Sequence, residues 1–129
     1  MNEMNLNDTI VSLVTGANSA TVAFIRSSGP KVLWLNYKFK ISDLVKNQCR
    51  LILFCDDKEQ QIDHGLAIYF QAPNSFTGDD VLECQGHGNA IIIEQILEVL
   101  HGWGIRLAEP GEFSRRAFLN GKMDLTQAE

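Results

Sequence analysis

The sequence predicts an α+β domain, built on a mixed β-sheet of about five or six strands with two or three helices. Three observations carry this expectation. β-branched and apolar runs punctuated by Gly, Pro and Asn recur from Thr9 to Gly86, at lengths that suit strands. From Asn89 the apolar period changes to that of a helix. The strands are grouped early with helices inserted, rather than alternating one for one, which favours a mixed sheet over a doubly wound parallel one.

The elements follow in order. Thr9–Val14 ("TIVSLV") and Thr21–Ser27 ("TVAFIRS") are strands joined by the small, polar "TGANSA". Pro30–Lys46 is ambiguous: "KVLWLNYKF" suits a short helix or a strand, with helix slightly preferred. Arg50–Asp56 and Ile62–Gln71 flank the polar "DKEQQ" and predict a hairpin. "APNSFTGDD" is a surface loop, and Val81–Gly86 returns as a strand. Ile93, Ile96, Leu97 and Leu100 fall at i, i+3, i+4 and i+7, which predicts a helix over Asn89–His101 stopped by Gly102. "IRLAEP" reads as a last strand, and Glu112–Asn120 as a helix ended by Gly121. Asp124 to Gln127 carries the caps of a further helix start.

The 129 residues suit one domain, and 45% hydrophobic with 21% charged residues can fill a core. The net charge of −5, without a Lys/Arg-rich run, argues against the chain clamping a nucleic-acid backbone by itself. No apolar stretch approaches the roughly 20 residues that span a membrane. The opening "MNEMNLNDTIVSL" has neither the basic start nor the apolar block of a signal peptide. Three cysteines without a CxxC pair suggest free thiols in a reducing cytoplasm.

Common catalytic signatures fail. "NGKMD" lacks a phosphate loop's first Gly, where Arg116 stands, and its Ser or Thr, where Met123 stands. Cys84 and His87 have CxxH spacing but no matching second pair, so a structural reading of both is favoured over a metal site. His64 and His101 read as solvated or locally hydrogen-bonded. Alternation puts Val22, Phe24 and Arg26 on one face of a strand, and Val81, Glu83 and Gln85 on one face of another. A charge on such a face must pair, reach solvent or bind something. An Arg26–Glu83 ion pair or exposed face, and a polar ligand site, are both open on composition alone.

Two long segments, "APNSFTGDDVLECQGHGN" and "RLAEPGEFSRRAFLNGKMDLTQAE", resemble the amino-terminal region of the tRNA-modification GTPases called MnmE or TrmE. "NDTIVSLVT" and "FIRSSGPK" match two shorter segments of that pattern, so the resemblance covers nearly the whole chain. It implies a folate-binding and dimerisation domain over residues 1–122, with 123–129 as the first turn of a following helical domain. It implies a fold similar to the folate-binding domain of glycine-cleavage aminomethyltransferases. It also implies a tetrahydrofolate derivative, in the 5-formyl or methylene form, as bound one-carbon donor. Further expectations are a homodimer, a flavoprotein partner of the MnmG (GidA) type, and tRNA reached through the full complex for wobble-uridine modification. GTP, magnesium and potassium would belong to a separate G domain. A dimerisation module without folate, or a stand-alone one-carbon transferase, are the alternative readings.

The family's folate contacts match Arg26, Glu83 and Lys122 here, with Gly86, His87 and Gly88 as weaker candidates. A pterin offers an N–H and an exocyclic amine side by side, which one carboxylate can accept together, the role assigned to Glu83. Arg26 and Lys122 suit a carboxylate tail or a formyl oxygen. Gly86 and Gly88 would let backbone approach the ligand. Thr15–Phe24 ("TGANSATVAF") departs from the family's Pro- and Gly-rich loop, and Asn89 stands where a Gly is usual.

Overall fold

A computed structural model describes residues 8–15, 21–41 and 43–123; the helix start expected at Asp124 lies outside them. Six strands and three helices run β1 (Ile10–Leu13), β2 (Val22–Ser28), α1 (Val32–Lys38), β3 (Cys49–Cys55), β4 (Gln61–Phe70), β5 (Val81–His87), α2 (Ala90–Gly102), β6 (Arg106–Leu107) and α3 (Glu112–Leu119). The strands form one sheet in the order β3-β4-β5-β2-β1-β6. All neighbours are antiparallel except β1 and β6, so the sheet is mixed, as the grouping of strands and helices predicts.

The ambiguous 30–46 stretch resolves as a helix over only seven residues. Val32 and Leu35 are its buried positions, and they join Phe39 and Ile41 in the core. In α2, Ile96 and Leu100 face the same core, and Ile93 is also buried. The Asn89 side chain accepts from the N–H groups of Ile91 and Ile92, a cap that contributes about 1 kcal/mol. Gly102 does not stop this helix but is its last residue; the left-handed turn falls at Gly104, φ 84°. The expected "IRLAEP" strand shrinks to the two residues that hydrogen-bond alongside β1.

Both helices cover one sheet face, where Val11, Ile25, Ile52, Phe54, Ala67, Leu82 and Cys84 lie at alternate positions. At one end of the opposite face, Phe76 and Phe113 place their rings 5.0 and 6.0 Å from the Arg26 guanidinium. Asn120 of the α3 C-cap donates to the Thr77 carbonyl, tying α3 to the 71–80 loop. The rest of that face leaves Val22, Phe24, Leu51, Leu53 and Leu66 exposed. β4 and β5 approach so closely at Gly65 that a Cβ there would lie 1.8 Å from the Gln85 carbonyl oxygen. Only glycine fits. Among the described residues, no helix is long and apolar enough to cross a membrane.

Candidate functional site

Arg26 and Glu83 sit directly opposite each other on β2 and β5. Alternation aims both away from the helices, and cross-strand neighbours are close enough for long side chains to meet. Arg26 Nε donates to Glu83 Oε2 at 3.1 Å, with both side chains about two-thirds to three-quarters buried. The ion-pair reading is therefore observed. Within the pair, Glu83 Oε1 and the terminal guanidinium nitrogens make no hydrogen bond among the described residues. One acceptor and several donors remain side by side at the sheet surface.

The depressions beside the pair are small. One of about 20 Å³ lies among Val14, Phe24, Arg26 and Glu83, and another of about 20 Å³ lies between Phe24, Leu66, Glu83 and Gln85. Pockets that enclose a drug-sized ligand run to roughly 300–1,000 Å³. The described residues of a single chain thus present a polar pair on an open apolar surface rather than in a closed cavity.

Lys122 is not joined to that pair by any hydrogen bond or ion pair among the described residues. Its backbone N–H donates to the Ala117 carbonyl, just beyond the C-terminus of α3, and its side chain is exposed. The first turn of that same helix supplies Phe113 against Arg26, and roughly 9 Å of helix rise separates Phe113 from Leu119.

The weaker candidates hold the sheet together. His87 donates its backbone N–H to Asp63 Oδ2 at 2.9 Å, and its Nδ1 lies 2.7 Å from Asp63 Oδ1. Gly88 donates to the Thr21 carbonyl. A Cβ on Gly86 would come within 3.0 Å of the Asp63 carboxylate and 3.2 Å of the Phe54 ring. Burial alone would push the Asp63 carboxyl up, but hydrogen bonds from the His87 and His64 backbones and the His87 ring outweigh it and hold it below its usual value. A carboxyl lowered in the fold stabilises above its unfolded pKa, and that contribution is lost as pH falls through the lowered value. Asp63→Asn should therefore be less stable than wild type at neutral pH, with the gap narrowing below about pH 4. Urea midpoints across the acid range measure it; a gap that widens toward acid contradicts this account.

The residues that sequence reasoning missed are Asp63, Glu112 and Arg116. Asp63 falls on the core register of β4 with Ala67 and Tyr69, so alternation alone could have flagged it. Glu112 and Arg116 look like ordinary helical charges, yet both are buried. Glu112 accepts two hydrogen bonds from Arg106, at 2.9 and 2.7 Å, and one from the Glu109 backbone. Arg116 donates to the Asp8 carbonyl at 2.8 Å and has Glu112 at 3.6 Å. This network seats α3, and hence Phe113 above Arg26. Cys84 lies in the core, where burial pushes its thiol up and makes it a poor nucleophile.

The family described as "GTP-binding protein TrmE N-terminus" matches residues 9–122, which include every element above. The chain belongs to this TrmE N-terminal family. Relatives include the tRNA modification GTPase MnmE of a Nitratiruptor species, 46% identical over 95% of this chain and 28% of that protein. MnmE of Buchnera aphidicola subsp. Baizongia pistaciae is 50% identical over 95% of the chain and 27% of its own length. MnmE of Alkalilimnicola ehrlichii is 48% identical over 94% and 27%. The chain thus spans little more than a quarter of the length of the MnmE proteins it matches. In this TrmE N-terminal domain, Arg26, Glu83 and Lys122 all fall inside the matched region.

Proposed function

We propose that this domain holds a reduced folate and pairs with a second copy of itself, as the first domain of a tRNA-modification GTPase. The observation that carries the reading is the Arg26–Glu83 pair, which among the described residues leaves carboxylate oxygen Oε1 and guanidinium donors unused on an open sheet face. That donor–acceptor set fits the folate. Glu83 accepts the paired N–H groups of the pterin, while Arg26 and Lys122 donate to the formyl oxygen or the carboxylate tail. Lys122 is exposed just beyond α3, the helix whose first turn supplies Phe113 against Arg26.

Self-association is supported by the same face. Phe24, Leu51, Leu53 and Leu66 form an exposed apolar band beside Glu83, the kind of surface that marks an interaction site. A second copy over this band would bury it and roof the shallow site. In the full-length protein, the one-carbon unit would serve wobble-uridine modification of tRNA together with a flavoprotein partner, with GTP handled by a separate domain.

Calorimetric titration with 5-formyl-tetrahydrofolate tests the reading. Glu83→Ala should weaken binding at least about tenfold, since losing a charged hydrogen-bond partner costs roughly 1.5–3 kcal/mol. Unchanged affinity removes Glu83 from the site. No heat with a dimer still present favours a dimerisation module that does not use folate.

A further inference from the structure

A second constellation lies at the far end of the open sheet face, just past the last β4–β5 pair, Leu66 with Gln85. His64 and His87 border a cleft of about 240 Å³ together with Thr21, Leu66 and Gln85. Gly65 and Gly86 also line it and put no side chain into it. We propose that His64 and His87 form an open two-imidazole site for a borderline divalent transition ion such as Zn²⁺ or Ni²⁺, with water filling the remaining positions.

Three features argue for it. Metal–imidazole bonds of about 2.0–2.1 Å at tetrahedral angles put two ring centroids roughly 5–5.5 Å apart, and the centroids of His64 and His87 are 5.6 Å apart. The Nδ1 of His87 is committed to Asp63 at 2.7 Å, which leaves Nε2, on the other side of the ring, for a ligand. A carboxylate holding one imidazole nitrogen while the other binds metal is the usual way such a ligand is oriented. Asp63 suits that task because its side chain is only 5% exposed and its second oxygen is fixed by the His87 backbone. Finally, the ring of His64 makes no hydrogen bond among the described residues, so both of its nitrogens are available.

Zinc and nickel match the donors, since imidazole suits these ions. Among the described residues no third His, Cys, Asp or Glu completes a metal set, so the site is open and exchangeable rather than a structural closed shell.

The test is calorimetric titration of the 129-residue chain with ZnCl₂, without folate, so its outcome is independent of the folate reading. Saturable binding is expected, weakened at least about tenfold by His64→Ala and by His87→Ala. Asp63→Asn should weaken it roughly 10–100-fold while leaving both imidazoles in place. Nitrogen-15 spectra should show zinc moving the imidazole resonances of His64 and His87 together. No saturable binding up to about 1 mM overturns the proposal. So does wild-type affinity in His64→Ala, which would move the ion elsewhere, for instance to the exposed thiol of Cys49. His64 is exposed, so its variant leaves the core intact and decides the matter even if Asp63→Asn fails to fold.

Discussion

Glu112→Ala is expected to destabilise the domain by about 3–5 kcal/mol, the cost of removing one partner from a buried ion pair. The Glu112 side chain is 5% exposed and serves both Arg106 and the adjacent, almost wholly buried Arg116. Its carboxyl is held below its usual value chiefly by the hydrogen bonds from Arg106, which outweigh the upward push of burial. Alanine removes that charge while two guanidinium groups stay in place. Glu112→Gln keeps the shape and some hydrogen bonds, so it should fall between the two. Urea unfolding of the three proteins measures the series. A loss below about 1 kcal/mol would reduce the network to the level of an ordinary surface pair. Because α3 carries Phe113, the same variant should also disturb the environment of Arg26.

Phe54→Ala should cost a similar amount, about 3–5 kcal/mol, through the cavity it leaves. Phe54 is fully buried on the core face of β3. Its ring meets Phe39 edge-on at a centroid distance of 5.1 Å and lies against Gly86, the glycine of β5 next to His87. The surroundings cannot collapse easily, because one wall is sheet backbone and the other is Phe39, the residue that caps α1. Phe54→Leu, which keeps most of the volume, should lose much less. The comparison rests on denaturation midpoints at unchanged slope. Equal losses for Ala and Leu would mean that aromatic geometry, rather than filled space, governs this part of the core.

Most of the architecture could be read from periodicity. The β3–β4 hairpin, the apolar face of α2 with its Asn89 cap, and the strand containing Glu83 all declare themselves through local pattern. The elements whose ends local pattern leaves ambiguous or too long have no local cause for stopping. α1 ends at Lys38 as the chain turns to deliver Phe39 and Ile41 to the core, and β6 is short because only Arg106 and Leu107 run beside β1. The candidate site was legible in part. Alternation groups Arg26 with Val22 and Phe24, and Glu83 with Val81 and Gln85, but which face looks outward and how β2 and β5 are registered are tertiary facts. Asp63 and Arg116 were overlooked because a charge read in isolation is assigned to the surface. Here each is buried with partners from distant segments.

The bonds around Asp8 have a consequence for synthesis. Asp8 pairs with Arg106 and offers its carbonyl to Arg116, contacts that span 98 and 108 residues. A ribosome adding about 5–20 residues per second exposes the first of these groups several seconds before the last. The first strand must therefore wait, its flank unsealed, while the hairpin and the long helix emerge. Final locking of the domain waits for Arg106 and Arg116, and a nascent chain arrested before Arg106 would lack it.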